Sequence, residues 1–415
     1  MNIFSVKQKL NNKLEIKDTY SKAKNEMLQL LKNVDNNKKV GITVGSRGIN
    51  DIDKIIKAIV DAIKENNLIP ILIPSMGTHG GANINSQINI LNKLKINKSN
   101  VGANIHKSLD TYLVGNTSSS IPVYVNSIVK NIDFLVVVNR VKAHTDFEGE
   151  IESGLCKMLA VGLGAEESAK TIHEFSIKKG YVKTIKDVTK FLLNTIPILG
   201  GIGIVEGKNN RPIIIESIHK NNILKREKEL IIIAKENSIK LPLDNLDILM
   251  VNEIGKNISG TGMDTNIIGR RGIVNQPEPK NPNIERIIVL DITPQSDGNA
   301  IGIGLADMIT ENLFKKIDIH KTSLNSLGSF GIEQGKIPCV LENDQKALET
   351  AIETIFDKSK ENINLIFIKN TSELKEMYMS ESLYDFAKNH KDLIITGEVK
   401  EIKFDIKGNI IKYFN

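Results

Sequence analysis

The chain has only two cysteines among its 415 residues, Cys156 and Cys339. Two cysteines cannot build a disulfide framework or hold a four-cysteine iron–sulfur cluster. We therefore expect a cytoplasmic protein, kept in a reducing compartment. Any redox chemistry that it performs would need an imported cofactor.

The sequence also lacks an apolar run long enough to cross a membrane. Its longest apolar stretch, residues 191–207, is interrupted by Asn194, Pro197 and paired glycines, well short of the ~20 residues that a span needs. This stretch instead predicts the end of a helix followed by a buried strand. The N-terminal residues lack the apolar core of a signal peptide, so we expect neither export nor a membrane partner.

A large excess of one charge is absent as well. The 55 Lys and Arg residues and the 49 Asp and Glu residues are interspersed along the chain, for a net charge of +6. This pattern predicts a solvated surface rather than a groove that binds nucleic acid. With 40% hydrophobic and 25% charged residues, the composition is that of an ordinary globular protein, and the length favours more than one domain.

Three common site motifs are missing. The chain contains neither the G-x-x-x-x-G-K-[ST] loop of nucleoside triphosphatases nor a dinucleotide-binding glycine fingerprint. It also has no H-E-x-x-H pair, whereas a zinc hydrolase would want three protein ligands and an open water position. These absences argue against a P-loop, a Rossmann NAD site and a zinc hydrolase.

What the chain does contain is a repeated alternation of apolar strands, glycine-rich polar loops and amphipathic helices. The strand-and-loop segments are residues 38–48, 68–81, 131–144 and 246–266. Such β-turn-α units predict parallel sheets, in which ligands bind at the carboxyl ends of the strands. The predicted fold class is therefore α/β, with two domains of mainly parallel sheets and an active-site cleft between them.

A proline-rich stretch suggests where the two domains divide. Residues 272–286 hold three of the eleven prolines and show no apolar periodicity, which is typical of a linker. The sequence thus predicts an N-terminal α/β domain over residues 1–272, a linker over 273–285 and a smaller C-terminal α/β domain over 286–415.

Two of the glycine-rich loops carry candidate binding residues. The GSRG loop places Arg47 in a turn where backbone amides and a guanidinium can converge on an anion; an ordinary turn is the alternative. The GTHGG loop places His79 beside glycines that let a ligand approach the backbone closely. The alternative is a histidine that hydrogen-bonds within its own turn.

The densest group of ionisable residues lies between residues 139 and 164 and includes His144 and Lys157, and His173 follows sixteen residues after Lys157. It is either a surface loop or a site. The small apolar residues after Lys157 predict that this lysine lies beside a buried wall, where it can become a nucleophile or a covalent anchor. Histidine both moves protons near neutral pH and ligates borderline metals, although a structural role is the alternative for each one.

In order and spacing these motifs resemble the nickel-pincer lactate racemase family. The resemblance rests on Arg47 in SR, His79 in GTH, His144 in KAH, Lys157 in SGLCK and His173 in IH. It implies two α/β domains around a nickel-pincer nucleotide, the nickel complex of pyridinium-3-thioamide-5-thiocarboxylic acid mononucleotide. It also implies that cofactor-synthesis proteins are partners.

The resemblance further implies a role for each matched residue. Lys157 would carry the cofactor as a thioamide, and His173 would complete the nickel coordination. His79 and His144 would be the acid/base pair, because the two enantiomers present their hydroxyl groups to opposite sides of the carbon. The implied cofactor-binding residues are Lys157, Arg47, Ser46, Gly77 and Thr78. The implied reaction is racemisation or epimerisation of a 2-hydroxy acid, by proton-coupled hydride transfer to the cofactor through a 2-oxo intermediate.

The sequence departs from the family pattern at two places. Val44 stands where the family has an aspartate, and the Asp-x-Asn-x-x-Gln-x-x-Lys segment ends here in Gly302 and Leu305. Because that Gln and Lys help to bind the substrate carboxylate, we expect a 2-hydroxy acid other than lactate. Candidate substrate-binding residues are Arg47, Lys256, Asn257, Gln295 and Asp297, with solvation or turn chemistry as the alternative.

The sequence therefore predicts an isomerase with a small-molecule 2-hydroxy acid substrate, acting as a monomer or homodimer. The alternative is a relative that binds a phosphorylated or pyridine-type ligand, or a metal-dependent lyase or hydrolase that uses the same histidines. A plain ligand-binding protein has no need of a lysine anchor and two bases, which favours the racemase.

Overall fold

The computed structural model describes residues 1–10, 14–46, 48–274, 276–356 and 358–414. The predicted α/β fold class with mainly parallel sheets is confirmed. None of the helices within these ranges combines the length and apolarity that crossing a bilayer requires.

Seventeen strands and thirteen α-helices are present among the described residues. The strands are β1 Asn2–Gln8, β2 Lys39–Val44, β3 Ile69–Pro74, β4 Asn104–Ile105, β5 Thr111–Asn116, β6 Pro122–Asn126, β7 Phe134–Arg140, β8 Ile198–Glu206, β9 Pro212–His219, β10 Asn245–Ile254, β11 Asn283–Ile292, β12 Met308–Thr310, β13 Cys339–Leu341, β14 Leu365–Asn370, β15 Glu373–Ser380, β16 Leu393–Ile395 and β17 Lys400–Glu401.

The α-helices are α1 Thr19–Leu30, α2 Ile52–Glu65, α3 Ile84–Lys93, α4 Lys98–Val101, α5 Leu155–Lys157, α6 Ala165–Lys179, α7 Tyr181–Thr195, α8 Ile223–Glu236, α9 Thr265–Ile268, α10 Glu311–Phe314, α11 Ile319–Gly328, α12 Asp344–Glu353 and α13 Tyr384–Asn389. A π-helical turn, Met158–Gly162, follows α5 directly. Short 3-10 helices are Ser127–Asn131, Lys220–Asn222, Pro294–Ser296, Ile303–Leu305, Ile332–Gly335, Lys360–Asn362 and Glu381–Leu383.

The chain divides into two compact units. Unit 1 comprises Met1–Asn11, Thr145–Phe147 and Ile239–Asn415, and unit 2 comprises Asn12–His144 and Glu148–Ser238. This division corrects the predicted boundary at residue 272. Strand β10 pairs in parallel with β11 along most of its length, so the residues on both sides of the predicted linker contribute to one sheet. The linker stretch belongs to unit 1, where Glu278 accepts the Gly272 N–H at 2.9 Å.

The sheet of unit 2 has the strand order β4-β3-β2-β7-β8-β9. Its first five strands are parallel and β9 is antiparallel to β8. Strand β7 is buried from Leu135 to Val138, which agrees with the continuous apolar run in the sequence. Because β2, β3 and β7 run in one direction, the loops that carry Ser46, His79 and His144 leave the sheet at the same edge.

The helices of unit 2 follow from the apolar spacing of the sequence. Helix α2 buries Ile52, Ile55, Ile56, Ala58, Ile59, Val60, Ala62 and Ile63, and Asp53 lies in its first turn, where a negative charge is favourable. The stretch that is too short for a membrane span forms the end of α7 followed by the buried strand β8. This outcome agrees with its prediction as a helix end and a buried strand.

The main sheet of unit 1 mixes two strand directions. Strands β13-β12-β11-β10-β14 are parallel, whereas β14, β15, β1 and β16 pair antiparallel in that order. The N-terminal strand β1 thus lies between two strands from the end of the chain. The loops after β10 and β11 carry the candidate substrate residues Lys256 to Asp297.

Candidate active site

The loop after β3 is shaped by a buried glutamine. Gln87, from α3, is fully buried and its Nε2 donates to the carbonyl oxygens of Gly77 and His79, both at 3.1 Å. Gly77 has a φ of +57°, which favours glycine over residues with a side chain. The loop is therefore held from behind, while Thr78 and His79 remain exposed.

The loop after β2 contacts the His79 ring. The Ser46 hydroxyl is hydrogen-bonded to His79 Nδ1, so the other ring nitrogen, Nε2, is the one directed away from this contact. Arg47, the predicted anion-binding residue of the same loop, lies outside the described residues. Ser46, predicted to bind cofactor, thus orients a predicted base.

The loop after β7 is closed on itself and pinned by a carboxylate. Lys142 and Ser153 exchange backbone hydrogen bonds of 2.9 and 3.2 Å. Glu152, whose exposed fraction is 1%, accepts the His144 N–H at 2.7 Å and the Gly149 N–H at 3.0 Å. The backbone of His144 is consequently fixed by a buried acceptor.

Lys157 and His144 are in direct contact. Lys157 ends α5 and is half-buried, and its Nζ is hydrogen-bonded to His144 Nε2. Leu159 and Ala160, in the π-helical turn that follows, are buried. The apolar wall that the sequence predicts beside Lys157 is therefore present, and one proposed base touches the proposed anchor.

His173 is oriented by a tyrosine. Its Nδ1 is 2.8 Å from the Tyr181 hydroxyl oxygen, and the two rings meet edge to face with centroids 5.7 Å apart. Tyr181 begins α7 and is 9% exposed. A hydrogen bond to one imidazole nitrogen sets the tautomer and directs the other nitrogen, Nε2, toward a metal or ligand.

Close contacts at three glycines bring these loops together. A Cβ at Gly77 would lie 3.6 Å from Val161 and 3.9 Å from Ala169, one turn before His173 in α6. A Cβ at Gly45 would lie 3.2 Å from the Met158 methyl group, next to Lys157. Gly162 lies so near the Ser75 carbonyl that a Cβ would approach it to 2.6 Å. The loops of His79, Lys157 and His173 thus pack together within unit 2.

Three acidic groups of the 142–154 loop pair with lysines of neighbouring helices. Glu152 and Glu148 both pair with Lys235, at 2.7 and 3.0 Å. Burial by itself would lower the pKa of Lys235, but the two carboxylates outweigh it and raise that pKa. Glu150 pairs with Lys186 and Lys228. Most of the acidic charge of this segment is thus paired with lysines of unit 2, and Glu152 also holds the backbone of His144.

Three residues that hold the candidate site residues were missing from the sequence-based predictions: Gln87, Glu152 and Tyr181. Glu152 lay within the dense segment, but nothing marked it from its neighbours. Gln87 and Tyr181 lie on helices and are each eight residues from the histidine that they contact, and a single sequence carries no pattern that marks these contacts. Only a buried polar residue on an otherwise apolar helix face could have suggested Gln87.

The candidate substrate residues in unit 1 mostly make contacts within their own region. Lys256 Nζ donates to the Gly260 carbonyl at 2.7 Å, and Asn257 accepts a hydrogen bond of 2.6 Å from Thr293. Asp297 is exposed and pairs with Lys321 at 2.7 Å. Gln295 is exposed.

The segment that departs from the family pattern is closed to side chains at its glycine. Gly302 has a φ of +92°, and a Cβ there would lie 1.8 Å from the Thr261 carbonyl oxygen. Leu305 is 5% exposed and its methyl group would lie 2.7 Å from a Cβ at Gly272. A glutamine at 302 could not be accommodated without rearrangement, and a lysine at 305 would place a charge at a largely buried position.

Across the described residues, no group of three or more His, Cys, Asp and Glu side chains could hold a metal ion by itself. A metal at His173 would need most of its ligands from another molecule. A single histidine with further ligands from another molecule differs from a zinc site, in which the protein itself supplies three or four ligands.

Comparison with known proteins places these residues in context. Residues 7–184 match the lactate racemase N-terminal domain. A crystal structure of a Thermotoga maritima protein is similar at a TM-score of 0.56 and 14% identity, over 85% of this chain and 97% of that one. No curated protein sequence matches the chain.

The lactate racemase apoprotein from Thermoanaerobacterium thermosaccharolyticum is also similar in fold. Its TM-score is 0.51 at 11% identity, over 89% of this chain and 93% of that one. His79, His144, Lys157 and His173 all lie within the matched residues. The match of residues 7–184 to the lactate racemase N-terminal domain confirms the resemblance drawn from the sequence.

Proposed function

We propose that the protein is a nickel-pincer-dependent racemase or epimerase of a 2-hydroxy acid other than lactate. The observation that carries the proposal is the contact between Lys157 Nζ and His144 Nε2. A covalent anchor and a proton-transfer group must both reach the reacting centre, and their direct contact satisfies that requirement.

The residues present fit the nickel-pincer nucleotide. Lys157 offers a half-buried amine beside an apolar wall, and Tyr181 holds His173 so that its Nε2 would be the single protein ligand of the metal. A donor set of one histidine suits a metal whose other ligands come from an organic group. When bound, that group supplies a hydride acceptor next to the substrate carbon.

The protein's own contribution would be proton transfer and positioning. His144, fixed through its backbone by Glu152, and His79, oriented by Ser46, would each hold or release the hydroxyl proton of one enantiomer. The two histidines are thus held separately, by Glu152 and by Ser46, which suits two bases that act from different loops. The alternative, a protein that only binds a phosphorylated or pyridine-type ligand, gives no role to the lysine–histidine contact.

The substrate is expected to differ from lactate because the segment that would hold its carboxylate is altered. Gly302 leaves no room for a side chain, and a site that lacks one substrate's polar partners discriminates strongly against that substrate. Arg47, Lys256, Asn257, Gln295 and Asp297 stay candidates for contacts to a different 2-hydroxy acid.

The proposal is tested by producing the protein together with the cofactor-synthesis proteins. We expect intact-mass analysis to show a covalent adduct on Lys157 with bound nickel, and expect loss of both in Lys157→Arg. Lys183→Arg is the matched control, because Lys183 is an exposed helical lysine paired with Asp187 at 3.0 Å. A panel of single-enantiomer 2-hydroxy acids would then identify the substrate by stereochemical inversion. Absence of both adduct and nickel in the unmodified chain would refute the proposal.

A further inference from the structure

A fully buried carboxylate contacts the turn that carries Lys157. Glu227, from α8, has an exposed fraction of 0%, and its Oε2 accepts the backbone N–H of Cys156 at 3.0 Å. Cys156 directly precedes Lys157 in α5. The buried carboxylate is therefore only one residue removed from the proposed anchor.

Gly154 is present because of this carboxylate. A Cβ at Gly154 would lie 2.5 Å from Glu227 Cδ and 2.6 and 2.8 Å from its two oxygens. The φ of Gly154 is 176°, an extended conformation that any residue adopts. The glycine of the SGLCK motif is thus required by the close approach of Glu227, and backbone strain plays no part.

Such an arrangement is costly unless it serves a purpose. Among the described residues, Glu227 Oε1 is buried without a hydrogen-bond partner, and a buried carboxylate with incomplete hydrogen bonding is unfavourable. Burial raises the pKa of Glu227 to about 7, although hydrogen bonds from Cys156 and Leu155 oppose the shift. An apolar side chain would pack against the Leu155 turn at less cost, but it could not accept the Cys156 N–H.

We propose that Glu227 is a positioning residue, which fixes the start of the Leu155–Lys157 turn and thereby holds the Lys157 amine against His144. Asn139 supports the same turn from the other side, since its Nδ2 donates to the Gly154 carbonyl at 2.8 Å. The purpose assigned to Lys157 rests on the proposed function, but the positioning role can be tested in the protein without cofactor.

The test measures how fast acetic anhydride acetylates Lys157 in the cofactor-free protein, by peptide mass spectrometry, relative to Lys183. In Glu227→Leu the Cys156 N–H loses its acceptor. We expect the labelling rate of Lys157 relative to Lys183 to rise roughly fivefold, because loss of one helix-cap hydrogen bond shifts an equilibrium by about that factor. The cause would be release of the half-buried amine from His144 into solvent. In Glu227→Gln the amide oxygen can still accept, so labelling should stay within about twofold of the unmodified chain.

The matched control is Glu26→Leu. Glu26 is another buried glutamate of unit 2, which accepts the backbone N–H of Ser217 at 2.7 Å far from Lys157 in sequence. We expect its loss to lower the melting temperature as Glu227→Leu does, without changing Lys157 labelling. Unchanged or reduced labelling in Glu227→Leu, equal increases in both leucine variants, or no rescue by Glu227→Gln would overturn the positioning role. Failure to find an adduct on Lys157 would refute the proposed function and leave this labelling result intact.

Discussion

The loops at the strand ends of unit 2 and of unit 1 look alike in sequence but are built differently. In unit 2 the backbones of the loops that carry His79 and His144 are held by the side chains of Gln87 and Glu152. In unit 1, Lys256 and Asn257 are themselves the groups that hold the loops. The comparison teaches that the proposed cofactor-binding loops of unit 2 are held by other residues, whereas the proposed substrate-binding residues of unit 1 themselves hold their loops.

The largest expected effect tests whether unit 1 could accept the family's carboxylate-binding glutamine at position 302. Gly302→Gln should lower the free energy of unfolding by about 3 kcal/mol or more, because a positive φ and an overlap with the Thr261 carbonyl are both unfavourable. Gly328→Gln, at an ordinary glycine of α11 with open space around its Cβ, is the control and should change little. Urea unfolding of both variants measures the difference. A stable Gly302→Gln variant that gains activity on lactate would show that the clamp position is open.

A smaller effect tests the preorganisation of unit 2. Tyr181→Phe removes the hydroxyl that orients His173 and should weaken nickel retention about 10- to 100-fold, as loss of a group that orients a metal ligand usually does. Nickel content of the cofactor-loaded protein after exposure to a chelator gives the measurement. Tyr112→Phe, at a tyrosine that stacks with Lys130 at 4.1 Å, is the control. Equal nickel retention in all three proteins would remove Tyr181 from the site.

The smallest expected effect concerns the pH dependence of stability. Burial raises the pKa of Glu227 to about 7 from an ordinary value of 4.5, so the folded protein holds this proton more tightly than the unfolded chain does. The resulting stability is full below the unfolded pKa and is lost as pH rises through about 7. The titratable group that faces Glu227 from α5 is the Cys156 thiol, whose pKa is also raised, by burial and then by Glu227 itself.

Glu227→Gln removes this titration. Between pH 5 and 8 the free energy of unfolding of the unmodified chain should therefore fall by about 1–3 kcal/mol more than that of Glu227→Gln. Urea unfolding at several pH values measures the difference, with Glu26→Gln as the control for loss of a buried carboxylate. Parallel pH curves for the unmodified chain and Glu227→Gln would contradict the buried titration.

The sequence predicted those strands, helices and loops whose formation depends on the spacing of apolar residues and glycines close together in the chain. The apolar run of β7, the amphipathic spacing of α2 and the glycine loops after β2 and β3 were all visible, and the structure confirms them. The domain boundary at residue 272 was wrong because proline content describes only the local backbone of a segment. Whether β10 pairs with β11 across that segment depends on strands that no local window contains. The same holds for β1, whose partners β15 and β16 come from the other end of the chain.

For the candidate site, the residues that would do chemistry could be predicted and those that hold them could not. His79, His144, Lys157 and His173 were identified by residue type and by their place after glycine-rich turns. Their roles remain predictions, and Arg47 lies outside the described residues. Tyr181 and Glu227 contact His173 and Cys156 through single hydrogen bonds between helices, and such contacts leave no periodic signal.

By itself, the sequence determined which chemical groups this protein can bring to a reaction: imidazoles, one lysine amine beside a Ser-Gly turn, and glycines that let other groups come close. The tertiary structure alone decided that Lys157 touches His144, that Gly154 makes room for Glu227, and that Gly302 has no room for a clamp. The physical reason is that residue type and local period are properties of neighbouring residues, whereas burial and close approach depend on how distant segments pack.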